Sequence, residues 1–289
     1  MKSVNLLVRI VRMIIPWKVL FCFSFFGCSG VQSSFDSKVQ VEFQRQPLAL
    51  GKILTKSDIK HLPLPVQKYL LYTGAVGKNQ IQNMRILFKE QMYKGPEANP
   101  MDSSSEQYNF FTSPARHFYM KANMMGIPFR VLHSYSNEKA EMLVRVASIF
   151  DAVNLESEDL AMAETVTVLN DLCLFAPSAL IDQKIFWEPI GPLSAKVIFK
   201  NGRFKVSALL FFNETGELVK FVSDDRSALQ DDGSLRKARW STPVRDYKEF
   251  NGVKVPTYGE AIWNYPEGDY IYGKFFLKNI EYNLKERKP

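Results

Sequence analysis

The sequence predicts an α+β protein that is mostly antiparallel β: a large curved sheet or half-barrel, with one long helix at about 156–176 and a short N-terminal helix packed on it. Three observations predict this. Asn201-Gly202 and Asn251-Gly252 each sit between apolar-rich runs, the chemistry a two-residue hairpin turn needs. Strand-like segments follow one another at short spacing, without the strand-then-helix alternation of a parallel sheet. One stretch alone, 156–181, carries a long helical pattern. A composition of 46% hydrophobic residues with 22 Phe and 12 Tyr also leans toward strands. No internal repeat is evident.

Taken in order, the first 27 residues carry Lys2, Arg9, Arg12 and Lys18 and no acid, followed by the apolar run Val19–Gly27. That is the order of a secretory signal. Pro16 and Lys18 interrupt the run, which is too short to span a bilayer. If the segment is removed, the formal charge of +7 loses those four cations and falls to +3. The basic balance is then an export feature, and a nucleic-acid partner is not expected. Gly30–Lys38 reads as a polar tether. The expected organisation is a signal peptide at 1–27, a lipidated tether and lead-in at 28–56, and a single β-rich domain at 57–285.

Pro65 suits a first helical position, Val66, Tyr69, Leu70 and Thr73 share a face, and Gly74 suits a left-handed stop, so a helix is expected over about Pro65–Thr73. Met84, Ile86 and Phe88 alternate with Arg85, Leu87 and Lys89 as in a strand. The loop 95–105 is followed by four consecutive strand segments. Acidic residues crowd the start of 156–181, matching the helix dipole, and Met162, Val166, Leu169 and Cys173 form a stripe that Pro177 ends. In the strand of 205–213, Val206, Ala208, Leu210 and Phe212 lie on one face, with Leu209 and Phe211 on the other. Apolar residues on both sides predict cover on both sides.

Gly27-Cys28 resembles the lipobox of bacterial lipoproteins, which implies acylation of Cys28; plain signal cleavage and an uncleaved interfacial anchor are the alternatives. An acylated chain would be a palmitate-bearing lipoprotein held to the membrane, and Ser29, in place of Asp, favours the outer membrane facing the periplasm. Without acylation it would be periplasmic or secreted. Cys173 would then be the one free thiol of the mature chain, so neither a disulfide nor a multi-cysteine metal site is expected.

The stretch "LPLPVQKYLLYTGAVGK" resembles the opening signature, Pro-x-x-Val-Gln-x-Tyr-Leu-x-Tyr-x-Gly, of an uncharacterised bacterial domain family. "LNDLCLFAPSALI", "FNETGELVKFVSDDR" and "RDYKEFNGVKVPTYGEAIWNYPEGDYIY" are similar to later parts of it, so the resemblance spans about 57–282. It implies a domain boundary and no activity. A weaker architectural likeness is to lipoprotein-carrier (LolA/LolB-like) proteins, which implies a lipid-sized site under a curved sheet.

No Gly-x-Ser-x-Gly, His-Glu-x-x-His, phosphate loop or dinucleotide fingerprint is present, and no cofactor or metal is expected. His61 reads as an exposed loop residue. His117 and His133 lie on neighbouring expected strands; facing each other, and joined by Asp224 and Glu164, they would form a hydrolase-like polar cluster. A buried Glu164 would need a partner, with Arg226 or Arg245 as candidates. The aromatics Trp187, Phe211, Trp240, Trp263, Tyr265 and Tyr270 read either as core or as the lining of an apolar pocket, with Arg226 as its polar contact and Met124 and Met125 as an adaptable rim. The expected function is therefore a lipid-anchored envelope protein, non-catalytic, that binds a lipid or other hydrophobic molecule between sheet and long helix. The alternatives are an envelope enzyme built on the histidine cluster and an interaction module pairing through a sheet edge. The oligomeric state is left open.

Overall fold

The computed structural model describes residues 30–124, 126–230 and 233–288. The expectations about the leader, Cys28 and Met125 lie outside these residues, as does the side chain of Met124.

Among the described residues, thirteen strands form one antiparallel, curved and unclosed sheet. The first meander comprises β1 (Asn83–Met92), β2 (Met101–Phe110), β3 (Ala115–Met124), β4 (Ile127–Ser136), β5 (Lys139–Val146) and β6 (Phe150–Glu156). The second comprises β7 (Ile185–Gly191), β8 (Ser194–Asn201), β9 (Phe204–Phe212), β10 (Leu218–Leu229), β11 (Leu235–Phe250), β12 (Val253–Tyr265) and β13 (Gly268–Tyr282). The two meet where β1 pairs with β13, in the order β6-β5-β4-β3-β2-β1-β13-β12-β11-β10-β9-β8-β7. Both hairpins form: Asn251-Gly252 is the expected two-residue turn, both at positive φ, whereas Asn201 pairs with Phe204 and the other turn is Gly202-Arg203, one position later than expected.

Among the described residues, three helices accompany the sheet: α1 (Val31–Arg45), α2 (Leu64–Tyr72) and α3 (Glu158–Phe175). Ser157 caps α3 by accepting from the Leu160 N–H at 3.1 Å, Glu158 and Asp159 fill its first turn, and a short 3-10 turn starts at Pro177. α3 joins β6 to β7, the two outer strands, and crosses the concave face, packing on β4, β5 and β6 on one side and β9, β10 and β12 on the other. Every residue from Ala163 to Phe175 is buried. The expected stripe understates this helix because the sheet wraps it from two directions.

The tether reading of Gly30–Lys38 is corrected. That segment belongs to α1, whose Val31, Phe35, Val39 and Phe43 are buried on the convex face of the first meander. Phe35 stacks on Tyr119 at 5.5 Å, and Phe43 meets Phe110 edge-on at 5.0 Å. Apolar residues every four positions make a helix face although the intervening residues are polar. The buried Glu42 of α1 accepts from Ser136 Oγ at 2.6 Å and pairs with Arg45 at 2.7 Å. α1 covers the convex side of β3 and β4. For β9, where cover on both sides was expected, it fails on the convex side, where Phe211 is exposed.

Candidate functional site

The concave face is polar along one strand. Ser103, Ser105, Gln107 and Asn109 alternate down β2, and all four are buried. Gln107 and Asn109 donate to Asp171 of α3 at 2.8 and 3.0 Å. Arg116 of β3 donates to Asp171 and to Glu164, each at 3.0 Å, and to Gln107 at 2.7 Å. His133 Nδ1 lies 3.1 Å from the other Glu164 oxygen. Burial pushes the Glu164 carboxyl up, but Arg116, His133 and the more distant Arg226 outweigh it and hold Glu164 well below the usual carboxylate range. Burial wins at Asp171, which is raised although Arg116 and Asn109 oppose it. One guanidinium therefore ties two buried acids of α3 to the sheet.

Beyond this tie the concave face is no longer covered by α3. A separate apolar cluster of Phe118, Met120, Ala122 and Val131 lies there, flanked by the partly buried Met92, Met101, Phe129 and Val144. Beside it Glu90 accepts from Ser103 Oγ at 2.9 Å and from Ser105 Oγ; burial raises its carboxyl against those bonds. The same face continues through β13 into an aromatic wall. Trp263 stacks at 5.9 Å on Tyr272 and at 6.4 Å on Tyr265, and Trp240 Nε1 donates to Tyr272 Oη at 3.1 Å. The Arg226 guanidinium sits 4.1 Å from the Trp240 ring centre and 5.5 Å from that of Trp263. Its Nε is buried and makes no hydrogen bond among the described residues. Tyr270 Oη donates to the Tyr93 carbonyl.

Of the expected pocket residues, the fold brings together Trp240, Trp263, Tyr265, Tyr270 and Arg226. Trp187 lies on the outer strand β7 and donates to the Leu180 carbonyl at 3.3 Å, and Phe211 points out of the convex face. The expected histidine pair is corrected. Phe118 pairs with His133 and His117 with Ser134, so the two rings lie on opposite faces of the sheet. His117 meets Ser134 Oγ at 2.9 Å and lies 3.9 Å from Glu42, under α1. Asp224 is exposed and pairs with Arg239 at 2.8 Å, away from Glu164. Of the four cluster residues, only Glu164 and His133 touch, and the partner of Glu164 is Arg116, neither Arg226 nor Arg245. Among the described residues no group of three or more His, Cys, Asp or Glu is placed to hold a metal ion, and no helix is long and apolar enough to cross a membrane.

Sequence reasoning missed Arg116, Asp171 and Glu90. The signal for them is the period-two polar line Ser103, Ser105, Gln107, Asn109, since four polar residues on one face of a central strand demand buried partners.

The profile of a family of unknown function (DUF6544) matches residues 52–275. No curated protein matches. Solved structures with a similar fold include a DUF1329 family protein from Desulfovibrio piger ATCC 29098, at 8% identity and TM-score 0.42, covering 80% of this chain and 94% of that one. Another is a LolA superfamily protein from Nitrosomonas europaea, at 8% identity and TM-score 0.40, covering 75% of this chain and 93% of that one.

Proposed function

Since the chain belongs to the family of unknown function DUF6544, from which it inherits no assigned activity, we propose that it is a lipid-anchored envelope protein that binds an amphiphile without catalysis. The apolar part of the ligand lies along Met92, Met101, Phe129 and the Trp263–Tyr265–Tyr272 wall, and its polar end meets Arg226. One observation carries the reading. Arg226 lies over the Trp240 ring and within 5.5 Å of the Trp263 ring centre, at the border of an apolar surface, with a buried Nε that no group among the described residues satisfies. An unpaired buried donor costs about 1–3 kcal/mol, so a fold that keeps one has a use for it. A ligand oxygen would satisfy that donor, while burial of the chain contributes about 25 cal/mol per Å².

The anchoring half rests on Gly27-Cys28 and places the protein in the bacterial envelope, facing the periplasm. Native mass spectrometry of the full chain, followed by lipid extraction, tests both halves. The expected results are a diacylglycerol-bearing N-terminus and a co-purifying amphiphile that Arg226→Ala and Trp263→Ala deplete. A protein that carries no ligand, or one whose ligand both variants retain, overturns the binding site.

A further inference from the structure

The antiparallel register puts alternate connections at one end of the sheet, among them β1–β2, β3–β4, β5–β6 and β12–β13. Met92 pairs with Met101, Met124 with Ile127, and Val146 with Phe150, while Tyr265 pairs with Gly268. This is also the end where the Met and aromatic residues of the ligand site lie. α1 runs along β3 with Phe43 against Phe110 at the opposite end and Phe35 against Tyr119 midway. Its first residue, Val31, therefore points toward the shared end, three positions after Cys28.

Two features of that end are unexplained by the fold. At the tips of the β3–β4 and β5–β6 hairpins, Ile127, Ile149 and Phe150 are exposed, Ile149 at 88%. On the convex face beside them, past the start of α1, lies an open groove of about 590 Å³ lined by Lys89, Lys121, Arg130, Lys278, Asp102 and Phe276, among others. Among the described residues none of the four cations makes an ion pair. Lys121 lies over the Tyr119 ring at 5.4 Å, and Arg130 donates to the Phe129 carbonyl at 2.9 Å. Asp102 is the one acid on that face of the groove, because Glu90 is turned to the concave side. Unpaired cations ringing a groove, with bare aliphatic and aromatic tips at the same end, match a surface of lipid phosphates with acyl chains beneath.

We infer that this end of the sheet docks on an anionic bilayer: the groove of Lys89, Lys121, Arg130 and Lys278 takes phosphodiester headgroups while Ile127, Ile149 and Phe150 enter the interface. The occupant follows from charge complementarity and from where the chain leaves α1. The contact holds the ligand site open toward the membrane. It rests on the anchoring half of the proposed function and is independent of what the aromatic wall binds.

The test uses the full chain in vesicles of phosphatidylcholine alone or with phosphatidylglycerol, read by amide hydrogen exchange. On phosphatidylglycerol vesicles, exchange in 121–130 and 147–151 slows by about tenfold or more, and it returns to the rate on neutral vesicles in about 0.5 M salt. The variant Lys89→Gln/Lys121→Gln/Arg130→Gln/Lys278→Gln, all changes on the convex surface, loses the protection. Equal exchange on both vesicle types overturns the proposal. So does protection that survives salt, or protection reproduced by inorganic phosphate without vesicles, which would make the groove a site for a soluble anion. Lipid extraction from the same samples reports the amphiphile separately, so the two readings fail independently.

Discussion

Replacing Arg116 by Met isolates the tie between α3 and the sheet. The Arg116 side chain is 10% exposed and its partners Glu164 and Asp171 are 3% and 9% exposed, so water replaces little of what is lost. Met keeps the volume and some contact with Phe118, whose ring lies 5.1 Å from the guanidinium. What disappears is the positive charge that two buried acids share. Breaking a buried ion pair from one side costs about 3–5 kcal/mol. For a domain of this size that lowers Tm by roughly 6–20 °C. The pH dependence identifies the cause. In the parent protein Glu164 sits below its ordinary value, so its contribution is present above the unfolded carboxylate range and fades as the pH falls toward the folded value. Without Arg116, burial meets only the weaker opposition of His133, Arg226 and Asn109, so both acids move up; the penalty then grows as the pH rises above about 4. Urea unfolding at pH 7 and pH 5 should show a deficit that shrinks on acidification. A deficit under about 1 kcal/mol, or one independent of pH, refutes the account.

Two further outcomes follow from α1. Burial pushes Glu42 up, but His117, Ser136, Gln46 and Arg45 around it outweigh this and hold it at about 2. Its contribution, about 2–3 kcal/mol, is present above the unfolded carboxylate pKa and lost as the pH falls toward 2. Glu42→Gln should flatten the melting temperature between pH 6 and pH 3; an unchanged slope would remove Glu42 from the explanation. Phe35 is fully buried against Tyr108 and Tyr119. Phe35→Ala should cost about 3–5 kcal/mol in chemical denaturation, whereas a flexible tether would lose almost nothing.

The hairpins and the long helix were legible because turn chemistry and hydrophobic period are local: Asn201-Gly202, Asn251-Gly252 and the capped run after Ser157 each announce themselves within a few residues. The aromatic wall was legible as composition, since Trp240, Trp263, Tyr265 and Tyr270 crowd one third of the chain. What stayed hidden depends on register. A one-residue offset sends His117 and His133 to opposite faces, and no residue type in either strand encodes that offset. Arg116 lies 48 residues from Glu164 and 55 from Asp171, too far apart for any spacing rule to join them. α1 was misread because its polar majority hid Val31, Phe35, Val39 and Phe43.

The seam between β1 and β13 joins Met84 to Tyr282. Every other strand pairing links neighbours in the chain. During synthesis, β1 therefore emerges with one flank bare and waits for almost the whole remaining polypeptide before its second partner exists. A nascent chain in that condition is an adhesive template, and delivering it across a membrane still unfolded would postpone the hazard until the last strand is at hand.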